Sequence, residues 1–430
     1  MKLTAWGQHP VIDTKIILPN AVLAQNLVLE SVIIPFGNGR SYGDSALAPH
    51  IVPMLSSDRF LNFDEESGLL TCESGVLLAD IIEIFVPRGW FLKVTPGTKL
   101  ITVGGAIASD VHGKNHHVEG CFSECVKEFT LMLADGSIIR CSREENQELF
   151  LATCGGMGLT GIILETSFSL KRINSKHIDQ ITIKTGNLEE TFAAFEEYKH
   201  HPYSVAWIDC LAEKADIGRC LLMVGDFTND GNLDYRVKKN VSIPFEFPGF
   251  ALNNLTVRAF NWLYYGKVRE RVSHNQVDID SFFYPLDAID HWNRIYGKGG
   301  FTQYQFILPK QESLIGLKEI LSQISASGKG SFLAVLKLYG PANGNYMSFP
   351  MEGYSLALDF KIEPGLFELL DKLDEIVAHY GGRIYLTKDV RVSKKIFEQG
   401  YPLLDKFREV RSRYSLNKRF HSLQSQRLGI

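Results

Sequence analysis

The sequence contains no run of about 18 apolar residues, the length that a membrane-spanning helix requires. Its first ten residues, MKLTAWGQHP, are interrupted by polar side chains and by Pro10, a pattern unlike that of a secretory leader. We therefore expect a cytoplasmic protein. Peripheral contact with a membrane surface stays compatible with this sequence.

The chain also lacks a strong charge of either sign, because 45 Lys and Arg face 49 Asp and Glu for a net charge of −4. This balance gives no indication of nucleic-acid binding. The seven cysteines are an odd number, and no two of them have zinc-finger spacing. We expect free thiols in a reducing compartment and no metal site. A length of 430 residues allows two or three structural units.

The strand–turn–helix signature of nicotinamide-dinucleotide proteins is missing. Gly37 and Gly39 are followed by Gly43, one residue later than the pattern G-x-G-x-x-G requires. Two prolines soon after this point prevent a long helix from beginning there. The pattern does occur at residues 156–161, but between a helix-like and a strand-like segment. We interpret it as a tight helix-to-strand connection.

The sequence has instead a loop of small residues at 31–46, SVIIPFGNGRSYGDSA. The apolar run Val32–Ile34 predicts a strand, and the loop begins at Gly37. Glycines permit positive φ and let the backbone approach a phosphate closely. Several successive N–H groups can then point at the anion. The loop therefore predicts a site for a negatively charged cofactor.

A second loop of small residues lies at 94–117, VTPGTKLITVGGAIASDVHGKNHH. Its glycines and alanines are small enough to lie against a flat ligand or a diphosphate. Three histidines follow, and His116 and His117 are interpreted as structural or surface side chains rather than metal ligands. His112 directly follows the small residues, so we expect it near the ligand.

The pattern of elements indicates an α+β protein. Residues 1–170 read as strand-rich, with a hairpin turn at 134–136. Beyond residue 171, amphipathic helices alternate with apolar strands, which predicts helices packed on one face of an antiparallel sheet. The tail from about residue 383 is basic and helical.

Four segments together resemble the flavin-linked oxidases of the vanillyl-alcohol oxidase type, with their PCMH-type FAD-binding domain: GNGRSYGDSA, TVGGAIASDVHGKNHH, GGMGLTGII and GGRIYLTKDVR. Within that family, DVHGKNHH is similar to the oxidase subunits of decaprenylphosphoryl-ribose 2′-epimerases. The resemblance covers nearly the whole chain. It implies an FAD-binding domain of two α+β subdomains at 1–170, a substrate-binding cap at 171–370, and a C-terminal segment, 371–430, that returns to the active site.

The resemblance also implies which residues would hold the FAD. Some relatives attach the flavin covalently through a histidine, and this chain has Arg40 at that position, which implies non-covalent FAD. The implied cofactor-binding residues are Gly37, Asn38, Gly39, Arg40, Ser41, Tyr42, Gly43, Asp44, Ser45, Ala46, Gly97, Thr102, Val103, Gly104, Gly105, Ser109, Asp110, Val111, His112, Ile163 and Tyr385.

Two residues are implied to be catalytic. Lys388, in the triplet TKD, resembles the family's essential lysine near the flavin, although the sequence alone favours a surface lysine paired with Asp389. Lys388 would bind the substrate oxygen or offset negative charge on the reduced flavin. His112 would orient the ring or help to move the proton.

Four further residues are expected to contact substrate. Gln303 and Gln305 alternate along one strand, so both face the same side. Lys337 is an isolated charge in an apolar strand and would meet a phosphate there. Tyr284 is a weaker candidate for the same pocket. Some family members carry an inhibitor-reactive cysteine where this chain has Ala357, which implies that no thiol is present at that site.

The implied reaction is FAD-dependent oxidation of a sugar hydroxyl, with a polyprenyl-phosphoryl ribose oxidised at its 2′-hydroxyl to a keto sugar. A separate short-chain reductase would complete an epimerisation, and quinone or oxygen would accept the electrons. The alternatives are an aldonolactone or alditol oxidase of the same superfamily and a flavin-binding protein without turnover. The apolar segment 247–266 fits a lipid-binding face and core packing equally well.

Overall fold

The computed structural model describes residues 1–19 and 32–430. Its amino-terminal part contains a small parallel sheet that carries the first glycine loop. The loop follows the strand Ile34–Phe36, two residues later than the predicted strand. Pro35 is tolerated there because this strand forms the edge of its sheet, where a missing N–H breaks no ladder bond. In spatial order the sheet contains Lys15–Ile16, His50–Pro53 and Ile34–Phe36.

A six-stranded antiparallel sheet follows in the chain. The predicted hairpin at 134–136 joins two of its strands, and the 156–161 turn connects the helix Gln147–Thr153 to a third, so both predictions are confirmed. In spatial order the strands are Ile138–Ser142, Val126–Met132, Ile162–Arg172, Leu69–Glu73 and Phe60–Asp64, with Trp90–Leu92 paired to the far end of the third.

An eight-stranded antiparallel sheet forms the second large unit. Helices Leu188–Glu197, Ser313–Ser327 and Leu366–His379 pack together and against this sheet through apolar residues at helical spacing. The prediction of an α+β fold with an antiparallel sheet flanked by helices is therefore confirmed. In spatial order the strands are Val272–Asp278, His177–Thr185, Cys220–Phe227, Tyr203–Ile208, Ala334–Tyr339, Gly353–Lys361, Phe301–Pro309 and Arg383–Ile384.

The last 50 residues connect the two large units. Strand Arg383–Ile384 pairs with Phe301–Pro309 of the eight-stranded sheet, and the helices that follow return to the first glycine loop. There, Ile33 forms an isolated bridge with Phe420. The domain boundaries near residues 170 and 370 stay a proposal, and the helix Leu366–His379, which packs on the eight-stranded sheet, spans the second of them. The C-terminal helices are Lys394–Gly400, Leu404–Arg413 and Leu423–Leu428.

The remaining helices are short connections, except for one of 13 residues. Across residues 1–19 and 32–430, every helix is too short or too polar to traverse a bilayer. All seven cysteines are buried and unpaired. These helices are Leu78–Phe85, Val103–Ala108, His116–Glu119, Asn254–Gly266 and Ile279–Phe283.

Candidate functional site

One cavity of about 450 Å³ lies between the glycine loops and the eight-stranded sheet. Its walls come from residues 37–46, from 96–114 and from the turn at 157–163 on one side. Strand residues such as Gln303 and Lys337 line the other side, and residues 385–388 join the two. The topology therefore brings together segments that are up to 350 positions apart in the chain.

The first glycine loop has the geometry of an anion site. Gly39 has a φ of 61°, a conformation that a side chain would strain. The backbone N–H groups of residues 38–41 have no acceptor among the described residues, while that of Tyr42 donates to the Thr387 carbonyl. The Asn38 side chain donates to the Leu100 carbonyl at 2.7 Å and ties this loop to the second one. Consecutive N–H groups in this arrangement suit a phosphate.

The end of this loop is fixed by the C-terminal helix. Arg427 forms ion pairs with Asp44 at 2.9 Å and with Asp389 at 2.8 Å, and both carboxylates are nearly inaccessible to solvent. Burial raises the pKa of Asp44, and the Arg427 guanidinium opposes that shift. A second Arg427 nitrogen donates to the Val392 carbonyl. The guanidinium thus connects the cofactor loop, the segment that carries Lys388 and the last helix.

Replacing Arg427 with methionine is expected to lower the free energy of unfolding by about 3 kcal/mol, because two buried carboxylates lose the cation that pairs with both of them. Urea unfolding of the purified variant measures this loss. The matched control is Arg236→Met, which removes an exposed ion pair with Asp234 and should change stability by less than about 0.5 kcal/mol. Equal stability of the Arg427 variant and the parent would contradict the connecting role.

The second glycine loop lies against the first. Its helix, Val103–Ala108, begins at Thr102, whose hydroxyl accepts a hydrogen bond from the Gly105 N–H. A Cβ at Gly104 would approach the Ser74 Cβ to 2.9 Å, and a Cβ at Gly37 would approach the Thr102 hydroxyl to 2.6 Å. The close approach of these backbones therefore requires glycine at both positions.

Three polar atoms without partners in the cavity wall test whether the cavity suits the FAD that the resemblance implies. Arg40 Nε, Ser74 Oγ and His112 Nδ1 are buried and lack hydrogen-bond partners within the described part of the chain. Buried polar atoms normally have partners, so these three indicate a polar ligand in the cavity. Together with the free N–H groups of the first loop, they fit a long polar cofactor that carries a diphosphate.

His112 lies at the junction of the two halves of the cavity, within an aromatic cluster formed by Tyr339, Phe349 and Tyr385. Burial, with the nearby Lys337 ammonium, holds its pKa well below the usual range, so the ring is neutral. The amide nitrogen of Gln305 lies 3.2 Å from His112 Nε2. If that amide donates, Nε2 is the acceptor and Nδ1 carries the proton. His112 then offers an N–H donor to the cavity.

Lys388 is not the surface lysine that its sequence context suggests. Its ammonium lies 3.9 Å from the centre of the Tyr42 ring, and Asp389 pairs with Arg427 instead. Burial lowers the Lys388 pKa, Asp359 opposes that shift, and Lys337 adds to it. Burial likewise raises the pKa of Asp359.

Two more lysines line the cavity. Burial lowers the pKa of Lys337 to about 8. Burial and the neighbouring Lys337 lower the pKa of Lys114 to about 7. The Lys114 ammonium donates to the Phe282 carbonyl. Since Asp359 and Asp287 are the nearby carboxylates and Asp287 is held by Lys99 and Thr98, the lysine cluster favours an anionic ligand.

Most of the predicted site residues line this cavity. They are Gly37, Asn38, Gly39, Arg40, Ser41, Tyr42, Ser45, Ala46, Gly97, Thr102, Gly104, Gly105, Ser109, Val111, His112, Ile163, Tyr385, Gln303, Gln305, Lys337 and Lys388. Ala357 also lines it, in register with Gln305 on the neighbouring strand.

Five predicted residues lie behind the wall instead. Gly43 packs against the Asp389 carbonyl, Asp44 is paired with Arg427, and Val103 is fully buried. Asp110 accepts hydrogen bonds from Asn343, Asn345 and Ser348, which join the second loop to the eight-stranded sheet. The Tyr284 hydroxyl bonds to Thr95 at 2.7 Å. These five residues belong to the same motifs as residues that line the cavity. A motif therefore identifies the segment near the cavity but not which of its side chains face it.

Many residues of the cavity wall were not predicted from the sequence. Lys114 lies inside the quoted motif DVHGKNHH, and Asp359, which accepts a hydrogen bond from Gln303, is an isolated charge in an apolar strand, the signal that identified Lys337. Trp6, Trp207 and Tyr264 gave no comparable signal. The Trp6 ring stacks with Arg40 at 4.1 Å, and Trp207 contacts Tyr264 at 4.7 Å between ring centres.

The other histidines of the second loop have structural partners. His116 Nδ1 accepts from the Gly340 N–H at 3.1 Å, and His117 Nε2 lies 3.0 Å from the His201 carbonyl. Among the residues that the structure describes, no group of three or more His, Cys, Asp or Glu is arranged to hold a metal ion.

Comparison with known proteins agrees with this geometry. A family model described as an FAD binding domain matches residues 25–142. Decaprenylphosphoryl-β-D-ribose oxidase of Mycolicibacterium smegmatis is 34% identical over 415 residues, which covers 93% of this chain and 89% of that protein. An uncharacterised Streptomyces coelicolor protein is 29% identical over 83% of this chain and 100% of its own length. Mouse L-gulonolactone oxidase is 34% identical over 30% of this chain and 29% of its own.

Proposed function

The chain belongs to the family of FAD-dependent oxidoreductases that includes decaprenylphosphoryl-β-D-ribose oxidase, and from this premise we propose that it oxidises a secondary alcohol of a sugar. We further propose a polyprenyl-phosphoryl ribose as substrate and its 2′-hydroxyl as the group oxidised. One observation carries the proposal: three interior lysines converge on the wall of a cavity that also contains both glycine loops. A phosphorylated sugar would supply the missing negative charge.

FAD, when bound, supplies an acceptor for the hydride that leaves the carbinol carbon. The hydroxyl proton then needs a base, and Lys388 is the proposed one. Because burial lowers its pKa, a neutral amine is accessible at a lower pH than for an exposed lysine. The Asp359 carboxylate acts on Lys388 through its charge and opposes the fall in the lysine pKa.

His112 is proposed to position the ring system and not to act as the base. With Nε2 towards Gln305, its Nδ1–H is a buried donor with no partner within the described part of the chain. Gln305 is itself held by Tyr339 and Ser355, so the donor has a fixed direction. Gln303 donates to Asp359 and holds that carboxylate near Lys388.

The phosphoryl group is proposed to bind between Lys337 and Lys114. Burial favours the neutral form of both amines, because it removes the water that would hydrate their charge. A bound phosphoryl anion would oppose this effect and keep both groups protonated. Tyr284 supports this region from behind, since its hydroxyl holds Thr95 and its chain neighbour Phe283 lines the cavity.

Anaerobic mixing with candidate substrates tests the proposal. A polyprenyl-phosphoryl ribose should bleach the flavin absorbance of the purified protein, and an aldonolactone or an alditol should not. Bleaching by the lactone or alditol alone would favour the alternative oxidase activity. If no alcohol bleaches the flavin, the protein binds FAD without turnover and the proposal fails.

Replacing Lys337 with glutamine is expected to raise the KM for the phosphorylated sugar about 30-fold and to change kcat less than about threefold, because a charge-assisted hydrogen bond to phosphate is lost. Steady-state kinetics measures both constants. The matched control is Lys184→Gln, on a strand of the same sheet but outside the cavity wall. A fall in kcat with an unchanged KM would place Lys337 at the reacting atoms instead.

The flavin is expected to leave the protein on acid precipitation. Arg40 occupies the position of the histidine that binds flavin covalently in some relatives, and a guanidinium forms no such bond. The supernatant should contain all of the yellow colour and the pellet none. A yellow pellet after washing would show a covalent attachment and contradict the assignment.

We also propose three partners: a separate short-chain reductase, quinone or oxygen as electron acceptor, and a membrane surface. Because Ala357 offers no thiol to the cavity and all seven cysteines are buried, we also propose that thiol-directed reagents leave the active site unmodified.

A further inference from the structure

The helix Asn254–Gly266 exposes an apolar face. The fractions of Leu255, Trp262 and Leu263 that remain exposed are 77%, 67% and 62%, and Phe260 borders them at 41%. Leu255, Trp262 and Leu263 share one side of the helix, because Trp262 and Leu263 lie seven and eight positions, about two helical turns, after Leu255. An amphipathic helix normally turns such a face towards the core.

The opposite face of this helix is firmly held. Asn261 is fully buried and donates to Asp209, which also pairs with Arg219. Tyr264 lines the cavity and contacts Trp207. The helix is therefore a wall of the active site, and its outward apolar face cannot turn inward without breaking that wall.

The segment that precedes this helix in the chain carries further exposed apolar side chains. Val237, Val241, Phe245 and Phe250 are each more than half exposed. With the four helix residues they make up eight of the 18 exposed large apolar side chains of the described chain, within 27 positions of sequence. Scattered single exposures need no explanation, whereas a concentration of this kind marks an interaction surface.

The charge of this region differs from that of the rest of the protein. Residues 236–271 contain seven Lys or Arg and two Glu, and Arg236, Lys238 and Arg258 pair with carboxylates outside this range. The other four cations, Lys239, Lys267, Arg269 and Arg271, are exposed, and the last three directly follow the helix in the chain. We call residues 236–271 the basic apolar surface.

We propose that the basic apolar surface docks onto an anionic lipid bilayer and places the active-site cavity at the membrane. Trp262, Leu263 and Leu255 would enter the interface, and the basic residues would meet lipid headgroups. The inference rests on the proposed function, since it explains how a lipid-linked sugar reaches a cavity whose wall is the same helix. A second copy of the chain fits less well, because a two-fold contact would bring two sets of exposed cations together.

Sedimentation of the holoenzyme with vesicles tests this docking. The protein should bind vesicles containing about 30% phosphatidylglycerol at least about tenfold better than pure phosphatidylcholine vesicles. The double variant Trp262→Ser/Leu263→Ser should lose at least about tenfold of that binding. The matched control, Val118→Ser/Ile138→Ser, alters two comparably exposed apolar residues elsewhere and should bind as the parent does.

Failure of the parent to bind anionic vesicles, or equal binding by the Trp262/Leu263 variant, would overturn the proposal. So would a dimer of the parent, detected by light scattering, that the double variant converts to monomer. Flavin reduction by a short-chain phosphorylated ribose in solution, measured on the same preparations, should be equal in parent and variant. A parent protein that is reduced by the sugar but does not bind anionic vesicles refutes docking alone, and a parent protein that binds the vesicles but is not reduced refutes the proposed function alone.

Discussion

Replacing Lys388 with alanine should reduce the rate of flavin reduction by the sugar substrate about 1,000-fold, with FAD content unchanged. The amine is the proposed acceptor of the hydroxyl proton, and removal of a positioned base typically costs a factor of about 100 to 10,000. Lys388 also lies on the segment that Arg427 fixes to the cofactor loop, so its position is well defined. Single-turnover stopped-flow measurement of the flavin absorbance isolates this step.

The matched control for this experiment is Lys372→Ala, an exposed lysine of the helix Leu366–His379 that should react at the parental rate. The pH dependence gives an independent readout. Because burial lowers the Lys388 pKa, the protein should gain activity as pH rises through that value and the amine becomes neutral. Activity that falls over the same range would mean that the ammonium form is required, and the assignment as base would be wrong.

The sequence was most informative where chemistry restricts the residue type. Both glycine loops could be predicted, because only glycine permits the φ of 61° at Gly39 or the approach of Gly104 to Ser74. Lys337 could be predicted because an ammonium inside an apolar strand is rare and indicates a specific polar contact. The same argument applies to Asp359, which the prediction did not include.

What could not be predicted depends on contacts between distant segments. Arg427 lies 383 positions after Asp44, and no local pattern links a basic residue in a C-terminal helix to a loop near the amino terminus. The prediction that Tyr284 faces the ligand followed its motif, whereas the structure turns its hydroxyl towards Thr95. Motifs identify segments near a site, and tertiary packing decides which side chains enter it.

Replacing Gly97 with leucine is expected to yield a folded but colourless protein, with the Kd for FAD raised at least about 100-fold, or about 3 kcal/mol. A Cβ at Gly97 would meet no protein atom within 4 Å, so the added side chain projects into open cavity. The backbone cannot retreat, because Asp287 accepts hydrogen bonds from the Thr98 hydroxyl and the Lys99 N–H, each at 2.8 Å. The leucine and the cofactor would therefore compete for one volume. Flavin absorbance per chain and titration of the apoprotein with FAD measure the effect.

The matched control is Gly344→Leu, because Gly344 is exposed and its Cβ would likewise meet nothing within 4 Å, but it does not line the cavity. Both variants should unfold at about the same temperature when compared without FAD, since neither adds a clash within the protein. In the presence of FAD the parent and the Gly344 variant gain stability and the Gly97 variant does not, because only a bound ligand shifts the unfolding equilibrium. A yellow Gly97 variant with parental affinity would mean that the cofactor occupies a different part of the molecule.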